Sequence, residues 1–543
     1  METFDFVIVG GGSAGSVLAF RLAEAGRRSV CVIEAGPPDR NPWIRLPAGF
    51  IKTLVDPAVT WQLATEASPG SGGRRIPFQQ GRVLGGSSAV NGAIYNRGQA
   101  ADFDHWAALG NRGWAYADLL PYFRRTECRI GAGDEHYRGR DGRLPVSTND
   151  LRLPVAEAFI ASAVACGLPR NEDHNGARQE GVGYSQAHIR RGLRVSAAHA
   201  FLHPARRLGV AVRTRTRVER LLVEEGRATG VVCRADGDER SFEIRARAGV
   251  VLCTGAIHTP KLLQLSGIGP PALLAEHGIE VVHALPCVGE NLRDHYNARL
   301  VVRGRPGMDG INARVRGWRL GREVLRWSLG RPSALGISPA LIHVFGRSSA
   351  DAATPDYFLV CSPGSYREGR VGELDDFPGM SCAACVLRPE SAGFVRVASR
   401  DPAVLPRVQP NYLDRDHDQR IQVAALRAAR EILRGAPLAP FVEAEIRPGE
   451  AVQTDDDWLG FARTRGSTSF HFAGTCRMGP KSAALAVVDD GLCVHGIAGL
   501  VIADASVMPT LVSANTCAAT LAIAEKAADL LLGRAAPPRA RLA

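Results

Sequence analysis

The chain has 543 residues, 45% of them hydrophobic and 22% charged, which suits a globular protein with more than one structural unit and excludes a disordered or fibrous one. The formal net charge is +11, yet there are only four lysines (Lys52, Lys261, Lys481, Lys526) and the arginines are scattered singly or in short pairs such as Arg74-Arg75 and Arg124-Arg125, so no nucleic-acid-binding run is formed. Twelve cysteines are too sparse for a disulfide scaffold, and the absence of an apolar run of about 18 residues predicts no membrane span.

The N-terminus, METFDFVIVGGG, enters a strand over 4–9 almost at once, so no secretory signal is expected and a cytoplasmic enzyme is the default. Gly10, Gly12 and Gly15 follow in GxGxxG spacing, with Ser13 and Ala14 between them, and a helical pattern then runs to Gly26. Such glycines serve a tight turn, close approach of a diphosphate to the backbone, and close helix–strand packing. The first helical amides then face the anion. A second strand, SVCVIE, ends in Glu34, where a carboxylate accepts hydrogen bonds from a ribose diol. Strand, turn, helix, strand and acid predict a dinucleotide site; the acid argues against NADP and leaves NAD and FAD open.

A second glycine- and serine-rich loop, GRVLGGSSAVNGAIYNRG, spans 81–98. RTRTRVERLLV reads as a strand containing Val218, and the apolar strand AGVVLCT leads into GAIHTPKLLQLSGIG at 255–269. Segments 116–204 and 299–461 are richer in Arg, Pro and alternating patterns such as FVRVASRDP, as expected of antiparallel strands. Cys382 and Cys385 form a CxxC without a second pair and read as buried thiols on opposite faces of an extended segment. In SFHFAGTCRMG, His471 is wedged between Phe470 and Phe472 and, taken alone, reads as a hydrogen-bonded packing histidine. LVIAD ends a strand at Asp504, and Asn515 opens the last helical pattern, where it serves equally well as a helix cap.

The stretches 81–98 and 255–269 closely resemble the two signatures of the GMC (glucose–methanol–choline) oxidoreductases, a family of flavoenzymes. DFDHWAALGNRGW at 102–114, VGENLRDH at 288–295, HFAGTCRMG at 471–479 and the C-terminal 500–531 extend the resemblance from the first strand to the last helix, weakest over about 300–390. The resemblance implies FAD and an α/β fold: a Rossmann-like FAD domain from 1–115, 205–298 and 462–543, and an α+β substrate domain on a large antiparallel sheet from 116–204 and 299–461. Carried over by position, Gly10, Gly12, Ser13, Ala14, Gly15, Glu34 and Ala35 hold the ADP half. Arg82, Val83, Ser87, Asn91, Gly92, Ala93 and Ile94 lie along the diphosphate and flavin. The backbone of Val218 meets the adenine, and Gly255, Asp504, Ala505, Asn515 and Thr516 complete the cofactor contacts. Val90 stands where some members attach flavin through a histidine, so dissociable FAD is expected.

Oxidising an alcohol needs a base that is neutral near pH 7, a group that positions the oxygen, and a hydride acceptor. The resemblance assigns the base to His471 and its partner to Asn515, where some members carry a second histidine; one dominant titrating group near neutrality is expected. Phe470 and Phe472 exclude water or simply pack, and Cys476 is structural. The expected reaction is FAD-dependent oxidation of a primary or secondary alcohol, with O2 or a quinone or dye-type acceptor. The alternatives are a hydroxynitrile-lyase-type reaction on a structural FAD and a catalytically silent flavin-binding relative. His105, His174, His199, His258 and His295 lie in family-like stretches and are read as forming no HxxxH or HxxE spacing, so no metal is expected. The alcohol, the acceptor and the oligomeric state stay open, with Tyr366 and Arg367 as unranked pocket candidates.

Overall fold

The computed structural model describes residues 2–26, 28–368 and 372–542. Among them, two seven-stranded sheets organise the chain. Strand β1 (Glu2–Val9) is buried at Phe6–Val9, as an apolar run covered on both faces must be, and pairs in parallel with β2 (Val30–Ile33) and with Ser241–Leu252. Helix α1 (Ser13–Glu24) and the last helix, α2 (Thr516–Leu531), are buried in the same core. Ala211–Arg213 extends the parallel set beyond β2, and Leu500–Ile502 pairs in parallel with Ser241–Leu252. Thr216–Glu224 and Arg227–Ala235 continue the sheet as an antiparallel meander. Because β1, β2, Ser241–Leu252 and Leu500–Ile502 all run the same way, Gly10, Glu34, Gly255 and Asp504 leave the sheet at one edge. This carboxyl edge is where open α/β sheets bind ligands.

The second sheet is antiparallel throughout, in the order Val442–Arg447, β3 (Tyr296–Gly304), β4 (Gly379–Val386), Tyr357–Ser362, Ile342–Gly346, Gly181–Tyr184, with Ser467–Thr468 also paired to β3. One face packs on helices Asp416–Arg434 and Pro154–Ala165 in a second core. The stretch 300–390, least legible in the sequence, supplies its central strands. Cys382 and Cys385 point to opposite faces of β4: Cys382 enters the core and Cys385 a cavity. All twelve cysteines are free thiols.

The segment 116–204, placed by sequence with the substrate domain, divides between the two cores. Tyr116–Thr126 buries Leu119, Leu120 and Phe123 in the first core, and Arg125 binds Asp529 on α2 at 2.9 Å. Its tyrosines and leucines form one apolar stripe, which the adjacent helix α2 covers before the chain crosses over. Conversely Ser467–Thr468, assigned to the FAD segments, completes the second sheet. No helix among the described residues is long and apolar enough to cross a membrane.

Candidate active site

One continuous cavity of about 810 Å³ opens between the carboxyl edge of the first sheet and the exposed face of the second, at the upper end of ordinary small-molecule sites. Gly10, Gly12, Ser13, Ala14, Glu34 and Ala35 line one end of it. Gly10 adopts φ +100°, and a Cβ there would meet the Cys253 carbonyl at 2.5 Å. A Cβ on Gly15 would fall 2.0 Å from the Gly10 carbonyl, so α1 lies directly against the turn. Gly12 is different. A Cβ there would meet nothing nearer than 3.8 Å, the Cα of Gly86 on the facing loop, so its missing side chain leaves open space. No side chain caps α1, whose first amides are left for a ligand. Glu34 accepts from the Gly11 and Gly36 amides at 2.9 and 2.8 Å, yet burial dominates and lifts its carboxyl to about 7.

Asp504 accepts from Gly255 N at 2.8 Å, Thr259 Oγ1 at 2.6 Å and Ser506 N at 2.8 Å, tying two strand ends together; burial raises its pKa. Ser87, Asn91, Gly92, Ile94, Val218, Gly255, Ala505, Asn515 and Thr516 also line the cavity, as does Val90. Gly15, Arg82, Val83 and Ala93 do not. Arg82 reaches the Ala35 carbonyl and Asp236; Val83 sits in a small core with Ile44 and Val59; Ala93, at φ +60°, packs on Ala187 and Ile189. These four shape the wall from behind. A glycine cradle beneath an uncapped helix, with a buried carboxylate at the end of the adjacent strand, fits a dinucleotide diphosphate and ribose.

His471 lies where the cavity meets the second sheet. Its Nε2 is 2.8 Å from Asn515 Nδ2 and its Nδ1 is 2.8 Å from His295 Nδ1, while His295 Nε2 is 2.8 Å from the Leu387 carbonyl. That carbonyl only accepts, so His295 carries its proton on Nε2 and presents a lone pair at Nδ1. His471 must then donate from Nδ1, which leaves Nε2 unprotonated. Asn96 Nδ2 donates to Asn515 Oδ1 at 2.9 Å, turning the Asn515 amide so that its NH2 faces His471. Asn515 stands at the N-terminus of α2 but makes no side-chain capping bond, so its side chain serves the histidine. Burial, then the neighbouring His295, holds His471 well below 6.5, and burial lowers His295 to about 4. The single group that sequence placed near neutrality therefore titrates on the acid side.

Asp294 anchors this loop: Oδ1 accepts from His471 N at 2.7 Å, and Oδ2 from the Tyr412 hydroxyl at 2.6 Å and from Thr468. Burial lifts Asp294 to about 6. Phe470 adopts φ +63°, a left-handed conformation costing on the order of 1–3 kcal/mol in a non-glycine residue, held by its amide bonding Thr468 Oγ1 at 2.8 Å. It is 42% exposed and lines the cavity; Phe472 also reaches the cavity but is buried and packs on Phe78 at 4.5 Å between ring centroids. Cys476 is buried and its thiol raised well above 9.

Sequence reasoning missed His295 and Asn96. Both sit in family-like stretches, but nothing local signals that they meet His471 and Asn515. It also passed over the four-residue spacing of His199 and His203, which converge on Asp39 Oδ2 at 3.3 and 3.0 Å. Burial, and then the facing Arg45, hold His199 at about 4, so the convergence is a hydrogen-bonded cluster beside a cation.

Two family models described as GMC oxidoreductase match the chain, over residues 4–297 and 389–524. A protein named oxygen-dependent choline dehydrogenase from Brucella anthropi is 39% identical over 98% of this chain and 96% of its own length. Another of that name, from Rhizobium meliloti, is 37% identical over the same shares. Among solved structures, pyridoxine 4-oxidase from Mesorbium loti superposes with a TM-score of 0.86 at 32% identity, covering 96% of this chain and 98% of that one. Formate oxidase of Aspergillus oryzae RIB40, described with its FAD, gives 0.91 at 26% identity, covering 98% of each.

Proposed function

This chain belongs to the GMC oxidoreductase family, as an FAD-dependent enzyme acting on CH–OH donors, and from that premise we propose that His471 is its general base and Asn515 its oxygen-positioning group in oxidising a primary or secondary alcohol. The observation that carries the reading is the unprotonated Nε2 of His471, pinned by His295 and facing Asn515 inside the cavity that also holds the glycine turn.

The ADP half of the cofactor rests on Gly10, Gly12, Ser13, Ala14, Glu34 and Ala35, and the flavin half reaches Asn91, Gly92, Ile94, Asp504 and Thr516. Arg82, Val83, Gly15 and Ala93 position those contacts. Bound FAD supplies the two-electron acceptor that takes hydride from the carbinol carbon. An alcohol entering between His471 and Asn515 donates its O–H to Nε2 and accepts from Asn515 Nδ2. The proton moves to Nε2, and the resulting imidazolium keeps its Nδ1–H bond to His295. The N-terminus of α2, carrying Asn515 and Thr516, favours negative charge at this end of the cavity by roughly 0.3–2 kcal/mol. Val90 offers no nucleophile, so the cofactor is held without a covalent bond and leaves on denaturation.

The final electron acceptor would be O2 or a quinone or dye-type compound. Two relatives carry an oxygen-dependent name, so oxygen uptake is compared with dye reduction in the same preparation. The decisive experiment is anaerobic mixing with an alcohol panel. The wild type bleaches its flavin; His471→Ala retains flavin and loses about 10²–10⁴-fold in reduction rate. A yellow enzyme after every alcohol would end the reading and leave the lyase alternative.

A further inference from the structure

On the second sheet, Asn297, Arg299 and Val301 alternate onto the face of β3 that lines the cavity. Arg299 rises from an apolar floor: Ala383 stands opposite it in register and Val360 lies one strand further on. The side chain keeps accessible surface although it lies deep in the protein, because what it faces is the cavity. Arg367, Arg447 and Arg465 line the same wall, and each has carboxylate partners. Arg447 is 3.7 Å from Glu368 and 3.8 Å from Asp375, Arg465 pairs with Glu368, and Arg367 pairs with Asp376. Arg299 has neither ion pair nor hydrogen bond among the described residues. Burial lowers its pKa, Arg447 adds repulsion, and the adjacent phenol of Tyr366 opposes both; a guanidinium nonetheless stays protonated. It is thus a cation held in a partly desolvated cavity without a counter-ion.

We propose that Arg299, with Tyr366 beside it, is the recognition site for an anionic group on the substrate, so that the enzyme prefers alcohols bearing a carboxylate remote from the carbinol. The proposal rests on the reading of His471 only for where the carbinol sits. Asn297 ties the two ends together, donating to Ser469 Oγ at 3.0 Å two residues before His471. His295 immediately precedes β3 and Arg299 lies four positions further on, roughly 13 Å of extended chain. An ω-hydroxy acid or a carboxylated aryl alcohol spans such a site, whereas an α-hydroxy acid is too short. A quaternary ammonium alcohol would face an unpaired cation, which distinguishes this cavity from one built for choline.

The test uses FAD-loaded enzyme with two readouts. In calorimetry, 4-methylbenzoate, which lacks a carbinol, binds at least tenfold tighter than 4-methylbenzamide, and Arg299→Gln removes the difference while Arg299→Lys keeps part of it. In steady-state kinetics, kcat/KM for 4-(hydroxymethyl)benzoate exceeds that for its methyl ester by roughly tenfold to a hundredfold, mostly through KM, and Arg299→Gln brings the ratio near one. Equal binding of benzoate and benzamide, an unchanged ratio in Arg299→Gln, or preferred turnover of choline overturns the proposal. If neither alcohol bleaches the flavin, the reading of His471 fails, and the calorimetric difference still decides this one.

Discussion

Replacing His295 by leucine tests the tautomer logic on which the base depends. His471 Nδ1–H would lose its acceptor at 2.8 Å on the side that faces the buried His295. An unsatisfied buried donor costs about 1–3 kcal/mol. The imidazole escapes this only by moving its proton to Nε2, the atom that must be free, and that puts two donors face to face unless Asn515 turns. Turning Asn515 breaks its 2.9 Å bond from Asn96, costing about 1 kcal/mol more. Either way a penalty of about 1–3 kcal/mol falls on the reactive form, equivalent to roughly a 5- to 150-fold slower reduction. The assay is anaerobic stopped-flow bleaching at saturating benzyl alcohol, with flavin content measured in parallel. His295→Gln, whose amide oxygen still accepts from Nδ1, recovers most of the rate. A His295→Leu enzyme that holds its FAD and reduces it within twofold of wild type would refute the tautomer argument.

Other expectations follow from the same geometry. Since burial lowers the pKa of His471, its neutral, active form persists as pH falls below 6.5 and is lost only on passing its depressed value, so the acid limb of kcat/KM lies below 6.5; a limb centred at or above 7 contradicts this. Gly12→Ala places a methyl in open space 3.8 Å from Gly86, so the protein folds with an unchanged melting temperature but loses FAD affinity, read by flavin stoichiometry and fluorescence titration. Gly15→Ala instead drives a Cβ to within 2.0 Å of the Gly10 carbonyl, and its far-UV spectrum and melting temperature suffer first; the reverse order for the two variants would be inconsistent with the cradle. Asp294→Asn weakens the acceptor for His471 N, Tyr412 and Thr468 together, and its cost to flavin reduction grows as pH rises through about 6, where wild-type Asp294 ionises; a pH-independent cost would speak against that role.

The nucleotide end was legible because its parts are close along the chain. A positive-φ glycine after an apolar strand, a helix that must lie against it and an acid ending the next strand are dictated by backbone sterics and strand periodicity, whatever surrounds them. The sequence by itself therefore determined the turn at Gly10–Gly15, the carboxylate at Glu34, the parallel strands and the reduced thiols. It named His471 and Asn515 only through resemblance, since Asn515 read equally as a helix cap. Tertiary structure alone decided what those two residues do, because the bonds that define them span 44, 176 and 419 residues of sequence. It also decided that Tyr116–Thr126 joins the first core and that Arg299 looks into the cavity with no ion-pair partner among the described residues. Side-chain direction on a strand follows from alternation, but which face meets a cavity, and whether a carboxylate waits there, depends on register between strands far apart in the chain.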